Sequence, residues 1–171
     1  MAIYYGDGSN SSAGRLIQTV VNTSNLTSSI AQVASSPVSS GITTNITPKS
    51  TSSNFLITFA GFSMHNNNGA GNEGIKIYCY AQINGSGNFN NVLNNFAVSS
   101  HVTVSWVDFP GEFTVFCPNS AVSYTSGQYV TFAPYYRKGD GSNSNNGQYF
   151  HHTGGSGNGT QMQTIIREIA A

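Results

Sequence analysis

Hydrophobic and polar residues alternate along most of this chain with the period of a β-strand, and one run stands out. Asn54-Phe55-Leu56-Ile57-Thr58-Phe59-Ala60-Gly61-Phe62-Ser63-Met64 places Phe55, Ile57 and Phe59 on one face and Leu56, Ala60, Phe62 and Met64 on the other. A strand with that pattern is apolar on both sides, which predicts a central strand with cover above and below. Ser52-Ser53 before it and His65-Asn66-Asn67-Asn68-Gly69 after it are turn formers, so the run reads as a strand with loops at both ends.

The same alternation recurs over 74–83, where Ile75, Ile77, Cys79, Ala81 and Ile83 fall inward and Lys76, Tyr78, Tyr80 and Gln82 outward. Its outer face is therefore wet or covered by a partner. Further strands are expected over 15–22, 42–47, 92–98, 101–107, 112–116, 127–137, 148–153 and 161–169. Pro48 stops one of them; Asp108-Phe109-Pro110-Gly111 and Cys117-Pro118-Asn119-Ser120 read as turns, and Pro134 marks an edge or a bulge. Between 23 and 40, Leu26, Ile30, Val33 and Val38 are too widely spaced for an amphipathic helix, leaving a long loop with short strand pieces. About eight to ten strands and no helix predict an all-β chain, a jelly-roll β-sandwich forming a single domain over 15–171. Ahead of it, 1–14 is a flexible N-terminal arm: an apolar tip, Ile3-Tyr4-Tyr5, on a stretch of Gly, Ser and Asn. That tip gains by docking on another protein, or by pairing as an edge strand of its own domain.

Composition narrows the function. Only 7% of the 171 residues are charged, against about 25% in ordinary soluble domains, so the surface is wetted by Asn, Ser, Thr, Gly and Gln. Six basic and six acidic side chains cancel and the basic ones are not clustered, which argues against nucleic-acid binding. With 38% hydrophobic and 12% aromatic residues the chain is nonetheless equipped to fold. There is neither a basic-then-apolar leader pattern nor an apolar run of membrane-spanning length, so the expectation is a protein made in a cytosol and not held in a membrane. Cys79 and Cys117 are too few for a disulfide framework or a zinc site, and they bridge only if their strands meet.

Candidate chemistry is sparse. Gly-Asp-Gly-Ser-Asn-Ser occurs at 6–11 and at 139–144, but each copy offers one carboxylate where a calcium loop needs several; both read as solvated turns. His151 and His152 are neighbours and face opposite sides of a strand, while His65 and His101 stand alone, so no metal or cofactor is expected. Nucleophile-elbow and phosphate-loop patterns are absent, and Asp108 and Glu112, the acids closest in sequence, flank a predicted turn. The expectation is a protein that is not an enzyme and has no catalytic residues. What remains is tyrosine: Tyr78 and Tyr80 on one strand and Tyr129, Tyr135 and Tyr136 on another give amphipathic area that suits a subunit interface or a sugar.

Three stretches carry a family resemblance. Ile3-Tyr4-Tyr5-Gly6-Asp7-Gly8 with Ser12-Ala13-Gly14-Arg15-Leu16-Ile17-Gln18-Thr19, then Ile46-Thr47-Pro48-Lys49-Ser50-Thr51-Ser52-Ser53-Asn54-Phe55-Leu56-Ile57, and finally Thr164-Ile165-Ile166-Arg167-Glu168-Ile169 resemble small virion proteins of tailed bacteriophages, especially phages of cyanobacteria. The resemblance implies a jelly roll of the tumour-necrosis-factor or complement-C1q kind, assembled as a homotrimer. It implies a capsid decoration or cement protein on the outer surface of the virion, in contact with the major capsid protein or other virion proteins. In that reading Ile3, Tyr4 and Tyr5 anchor the trimer to its neighbour, and Tyr78, Tyr80, Tyr129 and Tyr135 are the trimer-interface candidates. The alternative is a head-fibre or tail-fibre receptor-binding module recognising host cell-surface glycans through Trp106, Tyr149 and His151.

Overall fold

The computed structural model describes residues 14–26, 30–32, 36–66, 73–93, 98–102, 107–138, 148–151 and 160–171. In chain order its strands are β1 (Leu16–Leu26), β2 (Ile30–Gln32), β3 (Val38–Ser39), β4 (Thr44–Ile46), β5 (Asn54–Asn66), β6 (Glu73–Ile83), β7 (Ser86–Asn91), β8 (Val98–Val102), β9 (Val107–Cys117), β10 (Val130–Lys138), β11 (Gln148–His151) and β12 (Thr160–Ile169). A single 3₁₀ turn, Asn119–Ala121, follows β9.

All pairings are antiparallel and fall into two sheets. In the first, β12 and β11 lie end to end along one edge of β5, β1 and β2 lie end to end beyond them, and β9 takes the other edge of β5. In the second, β3 and β4 share one edge of β10, β6 takes the other, and β7 and β8 share the far edge of β6. Joining the collinear pieces gives two four-row sheets, and chain order alternates between them as in a jelly roll.

The inner faces meet in one core. Phe55, Ile57, Phe59, Phe113, Val115, Met162 and Ile166 come from the first sheet; Ile75, Ile77, Ala81, Val130, Phe132 and Tyr136 come from the second. Phe55 packs on Phe132 across the sandwich with ring centroids 5.4 Å apart and on Tyr124 at 5.7 Å, tilted geometries that suit the ring quadrupole. The central-strand expectation for 54–64 holds in its pairing, since β5 has neighbours on both edges. Phe55, Ile57 and Phe59 enter the core; on the outer face Thr58 is buried and Leu56 and Ala60 are half-buried, and the side chains of Phe62 and Met64 lie outside the described residues.

One turn expected from the sequence, and the edge or bulge expected at Pro134, take a different form in the fold. Residues 108–111 do not break the chain but continue β9, where Gly111 pairs with Phe62 across a register shift at Gly61. Gly61 has φ +80°, and a Cβ there would collide with the Gln161 carbonyl oxygen, so the bulge needs glycine. Pro134 sits inside β10, paired with Cys79 on one side. On its other side, the gap between β3 and β4, its carbonyl accepts from Ser40 N at 3.2 Å, so the missing N–H faces the gap and no ladder bond is lost.

The end of the sandwich nearest Gly14 is tied by side chains. Glu168 is fully buried, and its carboxylate accepts from Lys49 N (2.8 Å), Ser50 N (3.1 Å), Ser53 Oγ (2.6 Å) and Gln18 Nε2 (2.6 Å). Four uncharged donors thus hold the turn between β4 and β5. Tyr124 Oη donates to the Ser50 and Ser53 carbonyls of the same turn, and Asn119 Nδ2 to that of Thr51. Gly14 N donates to Ala170 O at 2.8 Å.

Candidate functional site

The outer face of the second sheet gathers the aromatic side chains. Alternation along β6 sends Tyr78 and Tyr80 outward, and register with β10 sets Tyr78 opposite Tyr135 and Tyr80 opposite Ala133. Because Ala133 is small, the Tyr80 ring has room to lean along the diagonal onto Tyr135, with centroids 4.1 Å apart and planes 16° from parallel. Tyr78 meets Tyr80 edge-on at 6.3 Å, and Phe89 from β7 closes the far side of Tyr135 at 5.7 Å. Arg137 Nε donates to Tyr78 Oη at 2.6 Å. Tyr78 is buried and Tyr80, Phe89 and Tyr135 are half-buried. Burial first, then the neighbouring phenols of Tyr78 and Tyr135, raise the Tyr80 hydroxyl above its ordinary value. The result is a preformed aromatic plate with hydroxyl handles, able to pack against a flat apolar surface.

Of the residues singled out from the sequence, Tyr78, Tyr80 and Tyr135 come together here. Tyr129 does not: it precedes β10 and lies against the β6–β7 turn, its N–H donating to Asn84 Oδ1 at 3.0 Å. Tyr136, grouped with Tyr135 in the sequence reading, faces the core because neighbours on a strand face opposite sides. Phe89 and Arg137 were missed. Phe89 belongs to β7, Ser86–Asn91, a stretch in which the sequence reading expects no strand.

Ile3, Tyr4, Tyr5 and Trp106 lie outside the described residues. Tyr149 and His151 belong to β11, where the backbone of Tyr149 pairs with that of His65. Val107, next after Trp106, pairs with Asn66. These positions share the end of the sandwich opposite Gly14. Cys79 and Cys117, from different sheets, are both buried in the core as free thiols. Burial, then the nearby Cys117, pushes Cys79 well above the ordinary thiol range, and burial alone pushes Cys117 up to about 12. Neither is a nucleophile at neutral pH. Among the described residues no three His, Cys, Asp or Glu side chains are grouped as a metal site would need, and no helix is long and apolar enough to cross a membrane.

No family model matches the sequence, and no curated protein matches it. Among solved structures the chain is similar to a chain of infectious bursal disease virus Gx strain, at 12% identity and a TM-score of 0.42, over 90% of this chain and 37% of that one. It is also similar to the VP2 subviral particle of the same virus, at 12% identity and a TM-score of 0.39, over 93% of this chain and 39% of that one. This chain thus spans less than two-fifths of those chains, and at such identity the resemblance to a viral capsid protein is distant and concerns the fold alone.

Proposed function

We propose that this protein is a structural component of a virion, a homotrimer decorating the outer surface of a tailed-phage capsid. The observation that carries the reading is the plate of Tyr78, Tyr80, Phe89 and Tyr135, a packed aromatic surface on the outside of a sheet. Interfaces between subunits are rich in tyrosine and poor in charge, and only 7% of this chain is charged. The sequence resemblance to small virion proteins supplies the setting, and a decorating role asks for surface complementarity and no chemistry. Residues Ile3, Tyr4 and Tyr5 would provide the contact with the capsid. The test is the mass of the chain in dilute solution. A trimer is expected for the native protein, and Tyr80→Ser with Tyr135→Ser is expected to yield a folded monomer; a native monomer would remove the proposal.

One observation favours a second reading, a fibre-tip module binding host glycans. Tyr149 and His151 lie on β11 at the same end of the sandwich as Val107, opposite Gly14. Copies per particle separate the two: hundreds for decoration, few for a fibre.

A further inference from the structure

At the end of the sandwich nearest Gly14, on the side where the edge strands β7 and β9 face each other, a groove of about 480 Å³ lies between the β6–β7 hairpin and residues 121–128. Its size falls in the roughly 300–1,000 Å³ range of small-ligand sites. We propose that this groove binds a neutral oligosaccharide.

The walls are built to stay in place. The hairpin turns through Asn84 (φ 51°) and Gly85 (φ 63°), the Asn-Gly pair that a tight two-residue hairpin turn requires. Its tip is then bolted to the opposite wall: Asn84 N donates to Tyr129 O at 2.9 Å and Tyr129 N donates to Asn84 Oδ1 at 3.0 Å. Gly85 lies so close to Tyr129 Oη that a Cβ would stand 2.7 Å from it. Across the groove, Thr125 N donates to Gln128 Oε1 at 2.8 Å and Gln128 N to Thr125 O at 3.2 Å, fixing that turn as well.

Three of the lining amides, Gln82, Asn90 and Gln128, are held by one end. Gln82 Nε2 donates to Gly87 O at 2.5 Å and Asn90 Nδ2 to Asn88 O at 3.3 Å, which leaves Oε1 and Oδ1 as acceptors with one N–H each beside them. Gln128 is held through its oxygen, so its two amide hydrogens remain to donate. Ser86 Oγ donates to Ile83 O at 3.2 Å and keeps its lone pairs. Paired donors and acceptors fixed in this way match adjacent hydroxyls, which both give and accept hydrogen bonds. Ala81, Ile83, Ala121 and Val122 supply an aliphatic floor for the C–H face of a sugar ring.

The same lining disfavours the other ligand classes. It contains no charged side chain, so a phosphate or carboxylate would find no opposite charge. It contains no aromatic ring, so a nucleobase would find nothing to stack on. The site is independent of the tyrosine plate and stands whether or not the chain is a virion component.

The test uses the full chain, screened on an array of neutral and anionic oligosaccharides, with each hit measured by calorimetry against native protein, Gln128→Ala and Asn90→Ala. Binding to neutral sugars is expected, weakened about tenfold by either substitution with melting temperature and oligomeric mass unchanged. Should a substitution lower the melting temperature, Ser123→Trp, at an exposed lining position, replaces it and is expected to block the groove. Silence across the neutral sugars, preference for anionic ones, or binding that all three variants keep would overturn the proposal. A Tyr149→Ala variant that alone loses binding would place the sugar at the opposite end and overturn it too.

Discussion

Glu168 shows how much a single residue decides in this fold. It lies on the inward parity of β12 with Met162 and Ile166, in the core apart from its headgroup, and it is the buried acid among the described residues. Nothing in the alternating pattern marks it as more than a solvated acid near a terminus; its meaning comes from Lys49, Ser50 and Ser53, which are distant in sequence. Removing the carboxylate leaves two backbone N–H groups and a hydroxyl without their acceptor, each costly when shielded from water. Glu168→Ala is therefore expected to lower unfolding free energy by about 3 kcal/mol, and Glu168→Gln by about half of that because one acceptor oxygen survives. Urea titrations followed by tryptophan fluorescence measure both. Equal losses for the two substitutions would mean that the side chain acts by filling space and not by accepting hydrogen bonds.

At the scale of elements, the long alternating runs were legible because each turns one apolar face into the core. The inward set Ile75, Ile77, Cys79 and Ala81 of β6 is buried as its period demands. What sequence could not supply was the meaning of Pro and Gly. Asp108-Phe109-Pro110-Gly111 has the composition of a turn, yet it continues β9, since the extra residue at Gly61 of the facing strand absorbs the irregularity. A bulge needs two strands to define it, and one strand's sequence shows half of it. The tyrosine plate was legible in part for the same reason: alternation put Tyr78 and Tyr80 outward, but only the register with β10 separates Tyr135 from Tyr136. The bulge makes a sharp prediction. Gly41 and Gly61 have nearly the same φ, +77° and +80°, but Gly41 has open space around its missing Cβ where Gly61 meets the Gln161 carbonyl. Gly41→Ala should cost about 1 kcal/mol from backbone strain alone, and Gly61→Ala about 1–3 kcal/mol more. Chemical denaturation of the two variants side by side isolates the clash, and equal costs would show that β5 relaxes around it.

For the whole molecule, the decisive contrast is between a core whose described members come mainly from the two sheets and a sequence that is poor in charge. Every core residue named lies at or beyond Ile42, and the described chain begins with the bond from Gly14 to Ala170. Six basic and six acidic side chains on 171 residues leave little for long-range attraction to a partner. Association must then rest on buried area, and Ile3-Tyr4-Tyr5 is a compact source of it on a stretch of chain with the composition of a flexible tether. Docking of that kind depends weakly on salt, because screening acts on charges. Deletion of residues 2–14 is expected to leave a folded trimer and to abolish incorporation into particles. Full-length protein should bind particles with nearly the same affinity at 0.05 M and 0.5 M sodium chloride. Sedimentation of purified particles with added protein reads both outcomes at once: truncated trimers that still co-sediment would free the arm from any anchoring role, and steep loss of binding in salt would return the contact to the few charged side chains.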